Sequence, residues 1–119
     1  MAKIKVKNLL LRTFIGFNPE ELVNKQDVLI NFEIEFDTSD SFLDRDEPDN
    51  ILDYKEVTKK VIEFVQNGRH KLLEVLTHNI LNLLMEDERI KYARVEVDKP
   101  HALRFAKSVS VVMEKSRSS

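Results

Sequence analysis

At 119 residues the chain is the size of one domain, spanning 1–119, and can bury roughly two-thirds of the surface its unfolded form exposes. Its 42% hydrophobic and 34% charged content fits a globular protein, and two glycines with three prolines exclude low-complexity and collagen-like chains. The absence of cysteine excludes disulfides and thiolate metal sites and makes a reducing cytoplasm the default, while a net charge of −2 without a long basic block argues against nucleic acid as a partner.

The first stretch, "MAKIKVKNLLLRTFIG", alternates charged and apolar residues, so neither a signal peptide nor a membrane span is expected. Residues 3–16 read as a strand. Ile4 and Val6 share one frame, Leu9 and Leu11 the other, and that slip predicts a bulge near Lys7-Asn8. "QDVLINFEIEFDT" is a half-buried strand: Val28, Ile30, Phe32, Ile34 and Phe36 alternate with Asn31, Glu33, Glu35 and Asp37. Residues 38–52 read as an acidic connection too long for a hairpin, and residues 37–49 lack the spaced oxygens and turn glycine of a calcium loop.

Asp53 and Glu56 have capping-box spacing at the start of "DYKEVTKKVIEFVQNG", where Val57, Val61, Ile62 and Val65 form a helical stripe that stops at Asn67-Gly68. A second helix follows, with Leu72, Leu73, Leu76, Ile80, Leu83 and Leu84 as its core stripe. Two strands, near 91–99 and 107–115, close the chain, and residues 116–119 read as a frayed tail. The order ββααββ predicts an α+β fold, an antiparallel sheet with two helices on one face. Glu33, Glu35, Arg94 and Glu96 would lie on the uncovered face. Unpaired sheet edges in a lone subunit predict an oligomer that joins them into a ring around a wet channel.

Four residues at element ends are candidates for chemistry: Glu21, Tyr54, Glu74 and Lys99. Each also has a plain structural explanation. Glu21 fits a solvated turn, Tyr54 a packing aromatic, Glu74 a dipole-complementing acid in a first helical turn, and Lys99 an edge-strand lysine. His70, His78 and His101 show no metal-ligand spacing, so no metal is expected.

Taken with the ββααββ order, "LLLRTFIGF", "EELVNKQDVLIN", "LDYKEVTKKVI", "LLEVLTHNIL" and "VEVDKPHALRFAKSVS" resemble the dihydroneopterin aldolase family of the tunnelling fold. "LRTFIG" with "DKPHALRFA" brings the resemblance closest to the bacterial dihydroneopterin triphosphate 2′-epimerase branch. The resemblance implies homo-oligomers of four-membered rings, commonly stacked as octamers, with a small-molecule pterin bound between subunits and no cofactor. It implies that Glu74 anchors the pterin ring with the backbones of Leu73 and Leu52, and that Tyr54 comes from the neighbouring subunit as acid/base. Glu21 and Lys99 would handle hydroxyls and protons, with Lys99 as general base. His101 and Arg104, then Arg12 and Lys107, are the cations for a triphosphate tail; Lys107 stands where an acid is usual in that branch. Three functions stay open: the epimerase, the aldolase of folate synthesis, and a non-catalytic pterin-binding ring.

Overall fold

The computed structural model describes residues 1–38, 40–48 and 51–117. Strand β1 (Ala2–Ile15) runs antiparallel to β2 (Gln26–Phe36), which pairs with β4 (Ile90–Pro100), which pairs with β5 (Ser108–Ser116). A two-residue strand, β3 (Arg69–His70), adds parallel to the end of β1, giving the order β3-β1-β2-β4-β5. Helices α3 (Tyr54–Asn67) and α4 (Leu73–Met85) pack on one face of this sheet. Two short helices, α1 (Pro19–Val23) and α2 (Asp40–Arg45), occupy the connections on either side of β2. The expected ββααββ frame is present with three small insertions. One of them, α2, falls within the stretch expected to be an acidic connection; residues 39, 49 and 50 of that stretch lie outside the described residues.

The bulge sits where the frame slips. Val6 pairs with Phe32 but Leu9 with Ile30, so β1 carries one extra residue. Asn8 absorbs it at φ 56°, its N–H donating to Asn31 Oδ1 at 2.8 Å. Ile4 and Val6 before the bulge, and Leu9, Leu11, Thr13 and Ile15 after it, therefore all face the helices. Thr13 is fully buried, and its hydroxyl donates to Val65 O at 2.6 Å. The core is completed by Val28, Ile30 and Ile34 of β2, Val61 and Val65 of α3, Leu76, Ile80 and Leu84 of α4, and Val95 and Val97 of β4. Leu72, expected in the helical stripe, is instead the residue before α4 and is exposed.

The opposite face is charged, as the alternation predicts. Lys3 lies 3.2 Å from Glu33, Arg94 lies 3.9 Å from Glu96, and Tyr92 donates to Glu114 at 2.7 Å. That hydrogen bond, with the nearby carboxylates, pushes the Tyr92 phenol up to about 12. The molecule measures 54 × 23 × 23 Å, and its 16.1 Å radius of gyration exceeds the ~13.5 Å of a compact chain of this length. Among the described residues, β1 from Ala2 to Thr13 pairs on one side only, and so does β5. No helix among them is long and apolar enough to cross a membrane.

Fraying expected over 116–119 does not hold for the first two of these residues. Ser116 pairs with Tyr92, and the Arg117 N–H donates to Lys91 O at 2.7 Å. The Arg117 guanidinium donates to the carbonyls of Met85, Asp87 and Ile90, covering the carbonyl end of α4; residues 118 and 119 lie outside the described residues. Arg117→Ala is therefore expected to lower unfolding stability by about 1–3 kcal/mol, read by urea denaturation at fixed protein concentration. Stability equal to the parent protein would show that the arginine only decorates the helix end.

Candidate active site

A cluster of linked polar contacts lies where β1 ends. Gly16 leaves the strand at φ 120°, a conformation side-chain-bearing residues rarely adopt, and its N–H donates to His70 O at 2.8 Å. Asn18 then caps α1: its side chain accepts from Glu21 N at 2.9 Å, and Glu21 Oε1 accepts from Asn18 N at 3.3 Å. This reciprocal capping aims the other oxygen of Glu21 at the Lys99 ammonium, which bonds it directly from the end of β4. Gln26 Nε2 completes the cluster, donating to Glu21 Oε2 at 3.4 Å and to Ile15 O at 2.9 Å. With side-chain exposures of 18% for Glu21 and 16% for Lys99, the pair is largely screened from water. The Lys99 hydrogen bond holds the Glu21 carboxyl below its ordinary value; burial opposes this, and the bonds from Asn18 and Gln26 support it.

Gly16 is needed for a second reason. A Cβ there would overlap the Glu21 carboxylate. The glycine is thus both a turn and a seat for the acid. Its role, with those of Asn18 and Gln26, is not evident from spacing alone. The one available signal is Asn18 followed three residues later by Glu21, a capping-box signature as good as the Asp53/Glu56 pair. At the latter, Asp53 caps Lys55 N at 2.9 Å.

Leu73 and Glu74 lie at the same end of the sheet as the pair. They open α4 immediately after β3, whose Arg69 donates to Leu22 O at 3.0 Å and so ties β3 to α1. Glu74 is exposed in the first turn, and Leu73 is buried. His101 and Arg104 stand exposed on the 101–107 connection that leaves β4 just past Lys99; His101 takes φ 63° and Arg104 packs 5.4 Å from the Phe105 ring. Arg12 lies 3.1 Å from Asp27 and bonds Lys25 O, so its guanidinium already has partners.

Leu52 and Tyr54 are elsewhere. Helix α3 starts beside the first residues of β1, with Tyr54 lining a groove together with Ile4 and Val6, and ends beside Thr13. From Val6 to Gly16 the strand covers on the order of 30 Å. Leu52 is buried under the start of α3, and its neighbour Ile51 is held by Arg89, whose Nη1 donates to Ile51 O at 3.0 Å. Within one chain, then, Glu21, Lys99, Leu73, Glu74, His101 and Arg104 gather at one end of the sheet, and Leu52 with Tyr54 at the other.

Comparison with known proteins agrees with this arrangement of elements. A family model described as dihydroneopterin aldolase matches residues 4–114. A dihydroneopterin triphosphate 2′-epimerase of Pseudomonas aeruginosa is 50% identical over 113 residues, covering 95% of this chain and 91% of the relative. The protein of the same name from Escherichia coli is 44% identical over 116 residues, covering 98% and 96%. Among solved structures, E. coli dihydroneopterin aldolase in complex with neopterin matches with a TM-score of 0.89 at 23% identity, covering 98% of this chain and 100% of that one. At that identity the likeness shows the fold alone.

Two outcomes test the cluster. Because the folded-state value of Glu21 is depressed, the stability its pairing gives is present above the ordinary 4.5 and is lost as pH falls through the lower folded value. A carboxyl NMR titration should place the Glu21 midpoint below 4.5, and Lys99→Met should raise it; an unshifted midpoint in the parent protein would show that the contact does not persist in solution. Gly16→Ala should displace the Glu21 carboxylate and remove the low midpoint even where the chain still folds.

Proposed function

Because the chain belongs to the dihydroneopterin aldolase family, we propose that it is a dihydroneopterin triphosphate 2′-epimerase, inverting C2′ of the side chain of 7,8-dihydroneopterin 3′-triphosphate. The observation that carries the reading is the Glu21–Lys99 contact, screened from water and held at a sheet end beside the start of α4.

In the reaction Lys99 acts as base once its ammonium has given up a proton to solvent: the C2′ hydroxyl proton passes to the neutral amine, and Glu21 steadies the ammonium that forms. The C1′–C2′ bond breaks, its electron pair passing through C1′ into the C6=N5 imine of the dihydropterin, and an aldehyde is released. Re-addition of C1′ to the other face of that aldehyde, with the proton returned to oxygen, inverts C2′. The substrate's own imine is the electron sink, so the chain supplies proton transfer and orientation. Glu74 pairs with the amino-pyrimidine edge of the pterin, and the backbones of Leu73 and Leu52 bond the same ring. His101 and Arg104 take the phosphate tail.

Leu52 and Tyr54 join this assembly from a second chain, because within one chain they lie a strand's length from Lys99. The open edges of β1 and β5 and the elongated subunit support a ring of four subunits, two rings stacking as an octamer. The cysteine-free chain supports a cytoplasmic setting. A second reading, dihydroneopterin aldolase, is favoured by the family model itself. The same residues serve it if Tyr54 protonates C1′ and the aldehyde departs, leaving 6-hydroxymethyl-dihydropterin and glycolaldehyde.

Product analysis separates the two. A triphosphate isomer of unchanged mass supports epimerisation, loss of a two-carbon aldehyde supports the aldolase, and turnover of neither substrate removes both. Lys99→Ala should lose turnover yet still bind pterin, whereas Glu74→Ala should lose pterin binding. Parental rates in the lysine variant would take Lys99 out of the mechanism.

A further inference from the structure

The groove that holds Tyr54 carries a feature that pterin binding does not use. It encloses about 660 Å³ at the open edge of β1, between Ile4 and Val6 on the strand and Tyr54, Lys55, Lys59 and Ile62 on α3. Lys55 and Lys59 are one helical turn apart on the same side of the helix, so their like charges repel. Neither ammonium has an ion pair or hydrogen bond among the described residues. Several sheet cations are paired, Lys3 with Glu33 and Glu35, Arg12 with Asp27, Arg94 with Glu96 and Lys99 with Glu21, whereas Lys5, which also lines the groove, has no ion pair among the described residues. An uncompensated pair of ammonium groups above an apolar floor is arranged for an anion, because the floor limits water's screening while the lysine stems cover it.

We infer that Lys55 and Lys59 form a polyphosphate subsite that serves the neighbouring chain's Lys99 across the subunit seam. This rests on the reading in which Tyr54 meets the Lys99 end of another subunit. Lys55 follows Tyr54 directly and Lys59 lies one turn further along α3, so both arrive at the seam with it. The phosphate tail begins at C3′, one carbon beyond the atom that is inverted, so it leaves the Glu21–Lys99 pair already close to Tyr54. His101 and Arg104 of the Lys99-bearing chain then hold the tail from one side and the two lysines of the adjoining chain from the other. Arg104 and the two lysines, with His101 beside them, bring three positive charges from two chains to the multiple charges of a triphosphate. An unphosphorylated dihydroneopterin would leave the lysines idle, so the subsite sets substrate preference.

The experiment uses the full chain with Lys55→Gln, Lys59→Gln and the double variant, exposed helix positions where glutamine is as good a helix former as lysine. For each lysine removed, the ratio of kcat/KM for dihydroneopterin triphosphate to that for dihydroneopterin is expected to fall about tenfold, the size of a lost charge-assisted hydrogen bond. The loss should fall on KM. An unchanged ratio overturns the subsite. Mixing the double variant with Lys99→Ala chains should restore low-KM turnover of the triphosphate, since some seams then join an intact Lys99 to intact lysines; no restoration overturns the arrangement across chains. Calorimetry with inorganic tripolyphosphate keeps the two readings apart. If the parent protein converts no triphosphate, the epimerase reading falls. The subsite still stands if tripolyphosphate binds the parent protein and binds the double variant at least tenfold more weakly, and it falls if binding is equal or absent.

Discussion

One carboxylate organises the end of the sheet where β1 and β4 finish. Glu21 closes the cap of a five-residue helix with one oxygen and grips Lys99 with the other, so a local turn and a distant strand are fixed by the same group. Neither half would persist alone. A helix as short as α1 is too small to be stable without its cap, and an exposed lysine–glutamate pair contributes little to stability. Together they shield each other from water, and the missing side chain at Gly16 lets the acid sit against the backbone. What results is a lysine held in one place beside a carboxylate whose pKa the contact lowers.

The second organising fact is length. Strands β1, β2 and β4 are all longer than ten residues, so the sheet has two well-separated ends with helices running between them. The candidate residues are divided between those ends, Glu21, Glu74 and Lys99 at one and Tyr54 at the other. In the proposed ring, pairing along the open edges of β1 and β5 would bring the two sets together and would set the distance between Tyr54 and Lys99.

Much of this was legible in the residues. The long strands declared themselves because one face of each is buried and the other is charged, and the bulge showed as a slip in that alternation near Asn8. The candidate residues Glu21 and Lys99 were found at their element ends, and the structure joins them. Less was readable where the decisive partner is remote in sequence. Helix α1 and strand β3 are too short to leave a periodic signal, and both are held by bonds to β1 or to each other. The pairing of Arg12 with Asp27 was not readable, because nothing local shows that strand register sets the two opposite each other. The separation of Tyr54 from Lys99 depends on which way α3 runs along β1, and no residue type encodes that direction. Arg117, polar and next to a serine-rich end, read as part of a loose tail, because the carbonyls that bind it come from elements some thirty residues earlier.

The extra residue at Asn8 has an effect well beyond its own position. Side chains on a strand alternate, so inserting one residue reverses which face every later residue presents. Upstream of Asn8 the even-numbered residues point inward; downstream the odd-numbered ones do, which buries Thr13 and Ile15 just before the chain turns at Gly16 against the acid. Removing a single residue there would leave the start of the strand in phase with its neighbour and put its far half out of phase. Injury to a surface kink near the chain's beginning would therefore appear as a misdirected lysine clamp at the opposite end of the molecule.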